Sequence, residues 1–197
     1  MTGIFIVLEG IDGSGKSTMC SLVAEALGSL GRRAVATCEP TGGPVGSLIR
    51  AGAAGASPAA EALLFAADRA IHSREIRGLL DGGSDVVCDR YVASSVAYQS
   101  SAPGEGAPDA GWIMEINRPG AIAPDATFLL DLDPEVGMGR IGARGERSRF
   151  EDAEYLRRVR AAYLGMAAED PSVAVLDASR PKRELLGEIM ERIRGII

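Results

Sequence analysis

Short apolar runs alternate with longer segments of helical character along the whole chain. Residues 4–8 (Ile-Phe-Ile-Val-Leu) are apolar at every position, which predicts a strand that is buried on both faces. Four more short strands are expected, at residues 33–38, 85–89, 126–132 and 173–177. Because predicted helices separate successive strands, the pattern indicates right-handed βαβ units. The expected fold is therefore α/β, with a parallel sheet of about five strands flanked by helices.

The predicted helices have recognisable ends. The first runs from about Lys16 to Leu30, and Gly31 is a natural C-terminal stop. Ser57-Pro58 begins a longer helix that extends to Leu80, since a capping hydroxyl is followed by proline at the first helical position. Further helices are expected over residues 45–50, 90–99, 109–117, 151–168 and 181–196, and another one begins at residues 133–134.

The helix from Pro58 to Leu80 is apolar nearly all round in its first half. Such a helix has to be buried, either in the core of its own domain or against a partner chain. Arg69 and His72 interrupt the apolar surface. We expect His72, the only histidine, to have a hydrogen-bonded structural role.

Composition and charge narrow the class of protein. The chain has 197 residues, of which 46% are hydrophobic and 24% charged, as in one globular domain with a sizeable core. Its net charge of -6 argues against nucleic acid as a partner, because duplex-binding proteins carry a basic face. The three cysteines lack a paired spacing, no apolar run could span a membrane, and no basic leader is present. These features favour a cytoplasmic protein with reduced thiols and no membrane partner.

The segment after the first strand carries the strongest chemical signal in the sequence. Residues 10–18 match the P-loop pattern G-x-x-x-x-G-K-[ST], with a strand before them and a helix after them. Backbone N–H groups of such a loop hold phosphate oxygens, and the positive end of the helix points at the same place. Lys16 is expected against the β- and γ-phosphates of ATP, and the Ser17 hydroxyl on Mg²⁺. The predicted ATP-binding residues are Gly10, Ile11, Asp12, Gly13, Ser14, Gly15, Lys16, Ser17 and Thr18.

The P-loop and four further segments together resemble the thymidylate kinase family of P-loop nucleoside monophosphate kinases. The matching segments are residues 8–18, 39–46, 64–69, 89–99 and 140–151, in the family's order over nearly the whole chain. The resemblance implies one P-loop NTPase domain over residues 1–197, a three-layer sandwich. It also implies that ATP, with Mg²⁺ as cofactor, phosphorylates dTMP to dTDP and releases ADP, in dTTP biosynthesis. With the apolar helix, it suggests a homodimer.

The resemblance also assigns roles around the acceptor. Asp12 would contact the 3′-hydroxyl, Phe65 would stack on thymine and Arg69 would bind the base edge. Arg90 would hold the acceptor phosphate, and Tyr98 would crowd the 2′ position. The full acceptor-binding set is Asp12, Glu39, Pro40, Phe65, Arg69, Arg90, Ser94, Ser95, Tyr98 and Gln99. The residues that would face Mg²⁺ and its waters are Ser17, Asp89 and Glu39.

Phosphoryl transfer between two phosphates needs alignment and positive charge. A general base is not required, since a nucleoside monophosphate is largely dianionic near neutral pH. Lys16, Arg90 and Mg²⁺ suit that task. The arginine-rich loop at residues 142–150 is the expected lid, and the catalytic set is completed by Arg144, Arg147 and Arg149. Family members that lack an arginine inside the P-loop supply it from the lid, and this P-loop has none.

Two other functions remain open at the level of sequence. A kinase for another acceptor, such as dUMP, a different monophosphate or a nucleoside, would share the P-loop and the lid. A nucleotide-dependent switch would need the P-loop alone, and the predicted acceptor residues argue against it. Cys38 stands where many members of the family carry arginine, and Ser95 stands at a position that varies among polar and small residues. Both leave the fine specificity for the acceptor open.

Overall fold

The computed structural model describes residues 3–52, 57–102, 106–142 and 153–197. The predicted lid arginines Arg144, Arg147 and Arg149 lie outside these residues. The strands are β1 Phe5–Glu9, β2 Ala34–Cys38, β3 Asp85–Asp89, β4 Ala126–Asp131 and β5 Val173–Asp177. The helices are α1 Lys16–Ser29, α2 Pro44–Arg50, α3 Pro58–Asp81, α4 Val92–Ser100, α5 Ala110–Asn117, α6 Pro134–Gly142, α7 Ala153–Glu169 and α8 Lys182–Arg194.

The five strands form one sheet in the order β2-β3-β1-β4-β5. Every pairing is parallel, so the α/β fold with a parallel five-stranded sheet is confirmed. All residues of β1 and β3 are buried, as expected of central strands whose faces are both covered by helices. Because the strands are parallel, their carboxyl ends meet at one edge of the sheet, where α/β proteins bind ligands.

Helices cover both faces of β1. Leu8 belongs to an apolar cluster with Val23 of α1, whereas Val7 belongs to a second cluster with Ile76 of α3. Helix α8 packs on α1, and α4 packs on α3, α5 and α7. The sandwich of helices, sheet and helices expected from the sequence is therefore present. No helix in the described ranges is long and apolar enough to cross a membrane.

The start of α4 differs from the sequence prediction. The predicted helix begins at Arg90, but α4 begins at Val92. Arg90 has a φ of 72°, which lies in the left-handed region, and Tyr91 is the N-cap residue. A residue whose backbone is left-handed cannot be the first residue of a right-handed helix, so Arg90 belongs to the turn that follows β3.

Helix α3 is buried along one side only. His72 and Ile76 are buried, but Leu63 and Ile71 are 50% and 53% exposed. Of the two alternatives that its apolar sequence left open, complete burial in the core of this chain is therefore wrong. An apolar outer side remains for contact with another surface.

Candidate active site

The loop between β1 and α1 has the backbone geometry of a phosphate-binding loop. Gly10, Gly13 and Gly15 have φ values of 140°, 81° and 93°, which residues with a Cβ rarely adopt. At Gly13 a Cβ would also lie 2.7 Å from Gly137 Cα, so this position requires glycine. Helix α1 has no side-chain cap and no acidic residue in its first turn. Its first N–H groups are therefore available to an anion.

Lys16 lies inside this loop and is almost completely buried. Its Nζ donates to the Ile11 carbonyl oxygen at 2.8 Å, and the nearby Ser14 Oγ is buried without a hydrogen-bond partner among the described residues. Burial and the neighbouring Arg90 lower the pKa of Lys16 to about 8, against the opposing effect of Asp89, Asp12 and Glu9. A phosphate would satisfy both side chains, since it stabilises the ammonium and accepts from the hydroxyl.

Ser17 and Asp89 meet at the carboxyl end of β3. Ser17 Oγ donates to Asp89 Oδ2 at 2.5 Å, while Asp89 Oδ1 is buried and has no partner in the part of the chain that the structure describes. A hydroxyl and a carboxylate with a spare oxygen are ligands that Mg²⁺ prefers. Among the described residues no group of three or more His, Cys, Asp or Glu is arranged so that it could hold a metal ion by itself. A cation here would therefore complete its coordination with phosphate and water oxygens, as Mg²⁺ does in nucleotide sites.

Arg90 connects the P-loop to the helix after β3. Its NH2 group forms an ion pair with Asp12 Oδ1 at 2.5 Å and donates to Tyr98 Oη at 3.1 Å. The guanidinium also lies over the Tyr98 ring, 4.6 Å from its centroid. Burial alone would raise the pKa of Asp12, but Arg90 and Lys16 outweigh it and lower that pKa. Asp12, which interacts with Lys16, is therefore an ionised carboxylate that is already paired with the guanidinium of Arg90.

A cavity of about 660 Å³, here named the P-loop cavity, adjoins Asp12 and Arg90. It is lined by Asp12, Glu39, Pro40, Ile49, Arg50, Gly52, Glu61, Phe65, Arg69, Arg90, Ser94, Ser95, Tyr98 and Gln99. Every residue predicted to bind the acceptor is in this set, although the residues come from four separate parts of the chain. The structure therefore brings the predicted residues together, next to the predicted donor loop.

Arg69 is held rigidly at the wall of this cavity. Its Nε donates to Glu39 Oε2 at 2.8 Å, and its NH2 donates to the Tyr91 carbonyl at 3.0 Å and to Ser95 Oγ at 2.9 Å. Its NH1 also contacts Asn117 Oδ1. A guanidinium has five N–H groups, and these contacts engage four of them.

Glu39 has both carboxylate oxygens in contact with neighbouring side chains. Oε2 pairs with Arg69, and Oε1 lies 3.0 Å from His72 Nδ1. The other ring nitrogen of His72 lies 2.8 Å from Thr37 Oγ1, so the expected structural role of this histidine is confirmed. The contacts of Glu39 orient Arg69, whereas its predicted place beside Mg²⁺ stays a prediction.

Phe65 and Gln99 present different surfaces to the P-loop cavity. The Phe65 ring is half-buried on α3. The Gln99 side chain is buried on α4, and no described residue hydrogen-bonds to its Oε1. A flat apolar surface and an amide with a free acceptor are what a nucleobase requires for stacking and edge recognition.

Sequence reasoning missed part of the site: four residues of the cavity lining, Ile49, Arg50, Gly52 and Glu61, and the buried Glu9. Arg50 lines the P-loop cavity and donates to the Pro40 carbonyl at 2.7 Å. As the last residue of a seven-residue helix, it carried no periodic signal. Glu9 is completely buried at the end of β1 and contacts Tyr91 and Ser94. An acid that ends a wholly apolar strand was the available signal for it.

Helix α6, which precedes the predicted lid, lies against the P-loop. Arg140 NH1 donates to the Gly13 carbonyl at 3.2 Å and to the Ala178 carbonyl at 3.3 Å. The predicted lid arginines Arg144, Arg147 and Arg149 follow this helix and lie outside the described residues, so their roles stay predictions.

A parallel α/β sandwich with a P-loop at its central strand, and a cavity with charged and apolar side chains beside that loop, defines a P-loop phosphotransferase. The thymidylate kinase family profile matches residues 8–189. A thymidylate kinase from Leifsonia xyli is 44% identical over 98% of this chain and 95% of its own. A probable thymidylate kinase from Pyrobaculum calidifontis is also 44% identical, over 95% of this chain and 94% of its own. The solved structure of thymidylate kinase from Candida albicans superposes with a TM-score of 0.84 at 26% identity, covering 98% of this chain and 92% of that chain. The chain belongs to the thymidylate kinase family.

Proposed function

We propose that this chain transfers the γ-phosphoryl group of ATP to dTMP, forming dTDP and ADP, as a step in dTTP biosynthesis. A phosphate oxygen of dTMP forms the new bond to the γ-phosphorus, and the bond between the γ-phosphorus and the β–γ bridging oxygen breaks. The observation that carries the proposal is the position of the P-loop cavity. Its lining includes Asp12, which belongs to the donor loop, and Arg90, which forms an ion pair with Asp12. This arrangement suits two phosphates that must meet in line.

The donor half of the site is residues Gly10 to Thr18. Their backbone N–H groups would hold the phosphates of ATP, and Lys16 would contact the β- and γ-phosphates. Ser17 and Asp89 would hold Mg²⁺, which neutralises charge on the phosphate oxygens when it is bound. Ser14 Oγ and Asp89 Oδ1 support this assignment, because both lack a partner among the described residues and would gain one.

The acceptor half is the P-loop cavity. Phe65 would stack on thymine, and Arg69 and Gln99 would hydrogen-bond to its edge. Arg90 would hold the acceptor phosphate together with Arg50, which donates a hydrogen bond to the Pro40 carbonyl. Asp12 and Tyr98, which are hydrogen-bonded to each other at 3.2 Å, would contact the sugar. The place of Tyr98 beside Asp12 supports the role at the 2′ position that the family resemblance implies for it.

Charge on the transferred group would be offset by Lys16, Arg90 and the lid arginines Arg144, Arg147 and Arg149. An arginine brought to a γ-phosphate accelerates transfer by about 10³–10⁵-fold. The absence of arginine between Gly10 and Lys16 supports a contribution from the lid. No general base is required, because the acceptor phosphate is largely dianionic near neutral pH.

An acceptor panel tests the proposed function. ADP formation from ATP and Mg²⁺ would be followed with dTMP, dUMP, dCMP, AMP and thymidine as acceptors. The highest kcat/KM is expected with dTMP, and a rate no better than with dCMP or AMP would contradict the proposal. ATP turnover that no monophosphate stimulates would favour the nucleotide switch. Lys16→Ala is the control for a contaminating kinase, since it should abolish transfer while the thermal midpoint stays measurable.

A homodimer and a cytoplasmic location belong to the same proposal, as does the organisation of the whole chain in one domain. The apolar side chains Leu63 and Ile71 on α3, and Met114 on the adjoining α5, are each about half exposed. A second copy of the chain would cover them. The three cysteines, all within the described residues, are free, which suits a reducing compartment.

A further inference from the structure

Helix α4 carries four residues of the P-loop cavity but begins without a cap of its own. Its N-cap residue, Tyr91, makes no side-chain capping bond. The residue before it, Arg90, has a left-handed backbone, which is unfavourable for any residue with a Cβ. The first N–H groups of a helix need partners, and a strained turn persists only where contacts around it hold it.

Glu9 supplies the missing cap from another strand. Its Oε1 accepts from the backbone N–H of Tyr91 at 2.9 Å and from that of Ser94 at 3.2 Å. Glu9 is the last residue of β1 and directly precedes Gly10 of the P-loop. One carboxyl group therefore fixes the start of α4 relative to the donor loop.

The second oxygen of Glu9 joins two hydroxyl groups. Oε2 lies 2.5 Å from Ser94 Oγ and 3.0 Å from the Oη of Tyr163, which belongs to α7. Ser94 Oγ and Tyr163 Oη are 2.7 Å apart, and Arg90 NH1 lies 3.4 Å from Ser94 Oγ. The contacts run continuously from α7 through Glu9 and Ser94 to the guanidinium of Arg90.

Burying these polar groups costs free energy, so apolar packing alone does not explain why they are there. Glu9 and Tyr163 are 1% and 3% exposed, and a buried carboxyl without a directly bonded cation is unfavourable. Burial raises the pKa of Glu9, although Ser94, Arg90 and the Tyr91 amide oppose that rise. The charged groups that interact with Glu9 are Arg90 and Lys16, both in the reaction site.

We propose that Glu9, acting with Ser94 and Tyr163, is the positioning residue for Arg90. Glu9 holds the turn at Arg90 and the first turn of α4, so that the guanidinium meets the acceptor phosphate beside the P-loop. Ser94 then acts through its hydroxyl on Glu9 and Arg90 instead of on the substrate. The inference rests on the proposed function, because Arg90 is there assigned to the phosphate of dTMP.

Single-atom deletions test this proposal without removing the buried carboxyl. Ser94→Ala and Tyr163→Phe each delete one hydroxyl of the network. Loss of one such hydrogen bond corresponds to a change of about tenfold, so the KM for dTMP should rise by about 5–15-fold. The KM for ATP should stay within twofold, because the P-loop backbone is untouched. Calorimetric binding of dTMP alone should weaken by the same factor.

Ser73→Ala is the matched control. Ser73 Oγ is buried and lies 2.6 Å from the ring hydroxyl of Tyr91, whereas Glu9 contacts the backbone N–H of that residue. This variant also loses one buried hydroxyl next to α4 and should lose comparable thermal stability, but its KM for dTMP should remain that of the wild type. Glu9→Gln keeps an oxygen for both N–H groups and should retain dTMP binding within about threefold, whereas Glu9→Ala should not.

The proposal is overturned if folded Ser94→Ala and Tyr163→Phe bind dTMP like Ser73→Ala. It is also overturned if the constants for ATP and dTMP rise by one common factor that follows thermal stability, since that result describes a purely structural role. A wild-type enzyme inactive with dTMP would instead contradict the proposed function, so the two failures are distinguishable.

Discussion

Opposing effects meet at the ammonium group of Lys16. Burial and the nearby guanidinium of Arg90 disfavour its charged form, whereas the carboxylates of Asp89 and Asp12 favour it, and the balance leaves its pKa at about 8. The site therefore holds two cationic side chains close together beside a loop of N–H groups. Such an arrangement is costly without an anion and stabilised by one, which is what a phosphate-binding site requires.

The lowered pKa of Lys16 predicts a pH dependence of ATP binding. Bound phosphate would raise that pKa, so above about pH 8 binding must take up a proton, and the Kd for ATP should weaken by up to tenfold per pH unit. Calorimetry near pH 8.5 in two buffers of different ionisation enthalpy should reveal this uptake. Binding without proton uptake at pH 8.5 would contradict the prediction, and Lys16→Ala should remove the uptake.

The same shift has a defined sign for stability. The folded-state pKa of about 8 lies below the ordinary value of 10.5, so the unfolded chain binds more protons between these values. This group's contribution to the free energy of unfolding therefore increases as pH rises from 8 to 10.5. The destabilising effect of burying the charge is complete below pH 8, where ATP binding offsets it.

At the scale of elements, the sequence pattern predicted those features that each segment's own residues determine. The apolar run of β1 and the glycines of the P-loop were readable because burial on both faces and positive φ values restrict residue choice directly. The start of α4 was predicted two residues too early, because its cap is not local. The carboxyl of Glu9 lies 82 positions from Tyr91 and 154 positions from Tyr163. Contacts between residues so far apart in the chain leave no periodic pattern in the sequence.

Gly13→Ala is expected to disable the P-loop at this same scale. The alanine would have to adopt a φ of 81°, and its Cβ would lie 2.7 Å from Gly137 Cα on α6, so the loop and α6 must move apart. We expect a loss of stability above the ~1 kcal/mol of left-handed strain alone, and a KM for ATP raised at least tenfold. Urea unfolding and steady-state kinetics measure the two effects.

Gly31→Ala separates strain from clash in that experiment. Gly31 has a similar φ of 79°, but a Cβ there meets nothing within 4 Å. It follows α1 at the end away from the P-loop, so this variant should lose about 1 kcal/mol and keep the KM for ATP. Equal effects of the two substitutions on that KM would show that the approach of Gly13 to Gly137 is unimportant.

At the scale of the whole molecule, the strand order explains how distant residues form one site. β1 lies between β3 and β4, and β2 pairs with β3, so the ends of three strands place Gly10, Glu39 and Arg90 at one edge. The sequence predicted this edge, since parallel strands align their carboxyl ends. The identities of the acceptor residues came from family resemblance. Arg50 was missed because only the folded chain brings the end of α2 to the cavity.

The outer side of α3 provides the prediction for the assembled molecule. Leu63 and Ile71 are 50% and 53% exposed on this helix, and Met114 of α5 is 51% exposed. An interface of about 1,000 Å² or more over this surface would give a stable dimer. Light scattering at micromolar concentration should therefore give twice the chain mass of 20.5 kDa, and Leu63→Arg should shift it towards the monomer.

Leu30→Arg is the control for that measurement. Leu30 is 47% exposed at the end of α1, a helix that packs on α8 and the sheet, so the substitution adds the same charge at similar exposure away from α3. It should leave the mass unchanged. A wild-type monomer at micromolar concentration would contradict the dimer, and equal dissociation by both variants would assign the effect to charge alone. Because α3 also carries Phe65 and Arg69, a monomeric Leu63→Arg variant with a raised KM for dTMP would further indicate that the partner supports the acceptor cavity.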